Sequence, residues 1–217
     1  AEVVALATHL ELAGATGARL HVCRVSTADS VAMIREAKAR GIAVTADVSI
    51  NHLHLIDIDI GHYDSNFRLS PPLRTARDRD ALRSGVIDGT IDAVVSDHTP
   101  RPDDAKQLPF AEAAPGASGL EVLLSLVLRL AETSRVPLTD ALGWITHRAA
   151  AAAGLPAGRI AADLPADICV FDAGAYRLIT RAGLRSAGKN SPFVGYELPG
   201  VVRATIAGGH VAYEATA

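Results

Sequence analysis

Ile91-Asp92-Ala93-Val94-Val95-Ser96-Asp97-His98-Thr99-Pro100-Arg101 is a short apolar run that ends in an acid, an imidazole and a proline. A largely unbroken β-branched run reads as a strand buried on both faces of a parallel sheet. A carboxylate and an imidazole at its C-terminal end cost free energy unless something uses them. In an α/β barrel that end carries the chemistry. Asp97 is therefore the first candidate, as a metal ligand and general base.

Working outward, strands and helices alternate. Leu20 to Val25 and Ile42 to Val48 read as two more strands. Apolar residues at Val3, Leu6, Ala7 and Leu10 predict a helix from Glu2 to about Ala15, which Gly14 and Gly17 terminate. Ser26-Thr27-Ala28-Asp29 has the form of a capping box and opens a second helix that ends at Gly41. A short strand is expected at Phe67-Arg68-Leu69 and a charged helix from Arg77 to Asp88. Apolar helices are expected over Leu120 to Glu132 and Asp140 to Ala153. This alternation predicts a parallel α/β sheet or barrel. The polar stretch from Asp97 to Gly119, with Pro100, Pro102, Pro109 and Pro115, is expected to be a lid. From about Asp163 the texture changes to a strand at Ala166 to Asp172 and a hairpin turning at Gly208-Gly209. The expected division is 1–160 for the α/β part and 161–217 for a small β unit.

At 217 residues and 49% hydrophobic, the chain suffices for one well-buried core. A net charge of -3 provides no field for nucleic acid or an anionic membrane. No apolar run is long enough to span a bilayer, so a soluble cytoplasmic protein is expected. Cys23 and Cys169 lie in apolar runs and read as small buried hydrophobes in a reducing compartment. The chain opens directly in a helix pattern without an initiator Met, as a chain that begins mid-fold would.

The polar residues at the ends of the expected strands are Arg24, Asp47, Asn51, His52, Ser70, Asp97, His98 and Arg101. Strand alternation places Arg24 with Val22 and Leu20, and His21 with Cys23 on the other face. Asn51 and His52 would likewise face opposite ways if the chain stayed extended. His21 reads as a buried, hydrogen-bonded core residue. His54 and His62 read as part of a solvated loop with Asp57 and Asp59. Nothing supports a role for His9, His147 or His210.

Seven segments, in order, resemble the C-terminal part of a dihydroorotase of the cyclic amidohydrolase superfamily. They are Leu20 to Thr27, Val44 to Ser49, Ser70-Pro71-Pro72-Leu73-Arg74, Ser96 to Pro100, Ser118-Gly119-Leu120-Glu121, Ala166 to Asp172 and Lys189 to Gly195. The resemblance implies the C-terminal half of a (β/α)8 metal-dependent hydrolase barrel, with strands 5–8, plus part of a small β-sandwich. It implies interconversion of carbamoyl aspartate and dihydroorotate in pyrimidine biosynthesis, with zinc as the metal. It also implies Asp97 as catalytic acid–base and metal ligand, with Ser70, Arg101 and Gly116 on the substrate side.

The same resemblance exposes departures. The family's fifth-strand histidine ligand is Arg24 here, and its sixth-strand ligand is Asn51, with His52 beside it as a weak substitute. Ser70 stands for an Asn and Arg101 for a His. Arginine has no lone pair to donate and stays protonated, so it cannot ligate zinc. Asn is a poor zinc ligand beside imidazole. The expectation is a catalytically impaired chain with zinc absent or weakly bound, in which Arg24 pairs with Asp97 in place of the metal charge. Such chains of the family act as scaffolds for aspartate transcarbamoylase, so a homo- or hetero-oligomer is expected. The alternative is an active zinc enzyme, a dihydroorotase or another cyclic amidohydrolase such as an allantoinase or hydantoinase, with further ligands from an upstream half.

Overall fold

The computed structural model describes residues 1–215. Helix α1 spans Glu2–Thr16, and Gly17 closes it in the left-handed region (φ 71°), where a Cβ would be strained. Strand β1 (Leu20–Val22), helix α2 (Ala28–Ala39), strand β2 (Val44–Ser49), helix α3 (Ala76–Asp88) and strand β3 (Ala93–Val95) follow. The strands form one parallel sheet in the order β1-β2-β3. Leu20 pairs with Val44 and Asp47 with Ala93. Parallel neighbours need crossovers, which α2 and α3 supply. Val44, Ala46 and Val48 are buried in the same core as Val31, Ile34 and Ala37 of α2 and Leu82 and Val86 of α3. The alternate residues Thr45 and Asp47 point to the opposite face, which carries the polar groups.

Helices α4 (Leu123–Ser134), α5 (Leu138–Gly143) and α6 (His147–Ala153) complete the α/β part. The small unit is an antiparallel sheet of β4 (Ile168–Leu178), β5 (Glu197–Ala207) and β6 (His210–Glu214), in that order. It joins the larger core through β5, where Leu198 is fully buried. Gly200 (φ 88°) lets β5 approach α4, since a Cβ there would collide with Leu128.

Several expectations need correction. Three parallel strands are present among the described residues, not four: Phe67-Arg68-Leu69 is a 3-10 turn running into extended chain. β1 ends at Val22, three residues early, because Arg24 adopts φ 55°. The cap of α2 is Thr27, whose hydroxyl accepts from Ser30 N–H, while the capping box lies at Thr75 and Asp78. The expected 120–132 helix starts at Leu123, because the Gly119 backbone must first clear the Ser96 carbonyl. The expected 140–153 helix is broken at Trp144, which is buried. Both cysteines are exposed. Cys169 lies on β4, which among the described residues has only β5 beside it, and Cys23 lies past the end of β1. His21 is exposed too, on the polar face of the parallel sheet.

Candidate functional site at the strand ends

The C-terminal ends of β1, β2 and β3 converge, and Arg24, the turn after β2 and Asp97 follow them. Arg24 Nη1 donates to Asp97 Oδ1 at 3.2 Å and to Ser70 O at 2.9 Å. The Asp97 side chain is 8% exposed and that of Arg24 44%. The expected pairing of these two charges is therefore present. Arg24 and Asp97 both adopt positive φ, 55° and 48°. Left-handed conformations of non-glycine residues cost free energy and persist where surrounding contacts hold them.

At Arg24 the holding contact comes from β2. Asp47 Oδ1 accepts the Arg24 backbone N–H at 2.8 Å, and Asp47 Oδ2 lies 2.9 Å from His21 Nε2. A carboxylate only accepts, so His21 Nε2 carries the proton and its Nδ1 takes the Thr45 hydroxyl at 2.7 Å. Sequence reasoning placed Asp47 among the strand-end residues but missed this positioning role. Its signal was the two-residue spacing of Thr45 and Asp47 opposite His21. One nitrogen of His21, the Cys23 sulfur and an Asp47 oxygen lie within 4.8 Å of one another. Both His21 nitrogens and both Asp47 oxygens already have partners, so this cluster reads as a hydrogen-bonded brace.

After β2 the chain turns at once into a 3-10 turn over Ile50–Leu53, so strand alternation does not sort Asn51 from His52. Both are buried. Among the described residues, neither the Asn51 amide nitrogen nor its oxygen has a partner. His52 Nε2 donates to Pro72 O at 3.2 Å, while its Nδ1 is buried and unpartnered. Burial lowers the His52 pKa against the attraction of Asp97. No register shift interrupts β1 and β2, so nothing pulls His21 toward the position of Arg24.

Of the remaining predicted residues, His98, Arg101 and Gly116 lie in the expected lid and Ser70 lies between β2 and α3. Arg101 Nε donates to Pro115 O at 2.9 Å, and its backbone N–H to Asn190 Oδ1 at 2.8 Å. Asn190 Nδ2 in turn donates to Gly116 O at 2.9 Å. Gly116 (φ 129°) presses on Thr99, where a Cβ would come within 2.7 Å. Ser70 contributes its carbonyl to Arg24. Lys106 Nζ donates to Ser65 O at 2.8 Å. Burial, then Arg101 and Arg68, push its pKa down to about 8. His98 Nδ1 accepts N–H groups from Gly119 (3.2 Å) and Leu120 (3.3 Å), so its proton sits on Nε2. The lid is thus packed rather than open. Its fasteners, Asn190 and Lys106, lay outside the candidate residues because their partners are distant in sequence.

A parallel sheet with polar groups gathered at its C-terminal edge, a packed lid and a small antiparallel sheet has known counterparts. The chain is 41% identical over 214 residues to the dihydroorotase-like protein of Pseudomonas aeruginosa, covering 99% of this chain and 50% of that protein. It is 42% identical over 216 residues to the dihydroorotase of Anaeromyxobacter sp. strain K, with coverage of 99% and 50%. The chain is a relative of the dihydroorotases. This dihydroorotase relative spans about half the length of the curated relatives it matches. Its structure superposes on the C-terminal half of a D-hydantoinase with a TM-score of 0.89 at 26% identity, covering 98% of this chain and 48% of that one. The L-hydantoinase (dihydropyrimidinase) of Arthrobacter aurescens gives 0.91 at 27% identity, with the same coverage. No protein-family model matches. The relatives form a metal-dependent hydrolase family. Among the described residues of this dihydroorotase relative, no helix is long and apolar enough to cross a membrane.

Proposed function

We propose that this chain is part of a dihydroorotase-like protein of pyrimidine biosynthesis that does not hold the family's catalytic zinc, and that it serves as an assembly subunit. The observation that carries this reading is the Arg24 guanidinium on Asp97, 3.2 Å away. A carboxylate charge that would face a cation is met by a fixed side chain, which cannot donate a lone pair to a metal. The donor set nearby fits zinc poorly. Asn51 offers an amide, and the His52 imidazole is turned to Pro72 O. A tight zinc site needs three good protein ligands and an open position. The partner consistent with the family is aspartate transcarbamoylase, with the protein as a scaffold in a homo- or hetero-oligomer. Arg101 and Gly116 would then shape the lid, and Ser70 would anchor Arg24, rather than hold substrate.

The test is metal analysis of the full-length protein together with a dihydroorotate hydrolysis assay. The expected result is substoichiometric zinc and no turnover. Co-purification with aspartate transcarbamoylase tests the scaffold role. Stoichiometric zinc with turnover would establish an active cyclic amidohydrolase instead.

A further inference from the structure

A cavity of about 240 Å³ borders the end of the 3-10 turn after β2, and His54, Asp59, Arg83, Arg129, Phe193 and Tyr196 contribute to its lining. Arg83 Nε donates to Leu53 O at 2.7 Å, which leaves its terminal nitrogens free. The Arg129 guanidinium lies over the Tyr196 ring, 5.8 Å from the centroid. Among the described residues, neither arginine forms an ion pair with a carboxylate. Guanidiniums in a cavity wall that no carboxylate pairs with are donors waiting for oxygen atoms.

Besides the Tyr196 hydroxyl and that of Thr133, which donates to Arg129 O at 2.9 Å, the wall holds two acceptors. His54 donates its Nε2 proton to Leu126 O at 3.0 Å, so Nδ1 keeps a lone pair, and among the described residues no protein group takes it. Asp59 Oδ2 accepts Ile56 N–H at 2.7 Å, which leaves Oδ1 unused. Two cationic donors beside two acceptors match an oxyanion that still carries a proton. A carboxylate or sulfate meets the arginines equally well but has no O–H at neutral pH. It would set its own lone pairs against His54 and Asp59.

We propose that this cavity is a phosphate site, taking free phosphate or a phosphate monoester in protonated form. Arg83 and Arg129 bind the bare oxygens, and His54 Nδ1 with Asp59 accepts the P–OH. The site does not depend on whether zinc is held at the strand ends.

Isothermal titration calorimetry on the full-length protein with sodium phosphate, sodium sulfate and glycerol phosphate tests this. Phosphate should bind about tenfold more tightly than sulfate, the ratio one hydrogen bond to a charged group supports. Arg129→Met should weaken both ions by about tenfold or more. His54→Leu should weaken phosphate only, bringing the two affinities together. Arg129 makes only a stacking contact, so this variant carries the test even if Arg83→Met fails to fold. Glycerol phosphate binding more tightly than phosphate would assign a monoester; weaker binding would assign the free ion. Absence of phosphate binding, equal affinity for sulfate, or binding unchanged by Arg129→Met would each overturn the proposal.

Discussion

Asn51 keeps a whole carboxamide out of water without a partner for either atom. Such a group costs about 1–3 kcal/mol, while an apolar side chain of the same shape costs nothing of the kind. Asn51→Leu should therefore stabilise the protein by about 1 kcal/mol, read as a higher midpoint in urea. A lower midpoint would mean that the amide has a partner in solution. His54 gives a pH prediction. Burial, followed by the Arg83 charge, lowers its pKa from 6.5 to about 3. Below pH 6.5 the unfolded chain takes up a proton that the folded chain refuses, so stability rises with pH between these values. Between pH 6.5 and pH 5 the loss should be about 2 kcal/mol, and His54→Leu should flatten that slope. His52 shifts in the same direction and leaves a residual. The sequence predicted the pairing of Arg24 with Asp97 because charge and lone pairs belong to the residue type. It did not predict the burial of Asn51, which depends on a turn that departs from strand geometry.

At the scale of elements, the lid is closed by a residue that follows it by many positions. Asn190 bonds Arg101, Gly116 and, through its carbonyl, Ser118 N–H at 2.7 Å. Asn190→Ala should release the segment between Arg101 and Gly116. Limited proteolysis should cut it there much faster, with a smaller change in global stability, because such openings are local. Unchanged cleavage would place the fastening elsewhere, at Lys106. Elements with local signals were legible: α1 ends at a glycine, α3 follows its charged run, and the hairpin turns at Gly208-Gly209. Elements whose limits depend on remote contacts were not. β1 stops early because Asp47, on another strand, holds Arg24 in a left-handed conformation. α4 starts late because Gly119 lies against Ser96. The exposed faces of His21 and Cys169 follow from strand order, which no single run encodes.

Over the whole molecule, the parallel sheet leaves one side of β1 and one side of β3 without a strand neighbour among the described residues. Unpaired strand edges recruit other strands, and a polar sheet face beside an apolar core asks for cover. Residues 1–217 alone should self-associate or unfold without a sharp transition, read by sedimentation and by urea titration. A monomer with one cooperative transition would refute this. Arg24 ties together three points of the chain, positions 24, 70 and 97, through one guanidinium. An imidazole at position 24 would therefore strip Ser70 of its donor and Asp97 of its counter-charge. The guanidinium thus works as a keystone: any shorter or uncharged side chain at position 24 would free three segments of the chain in one step.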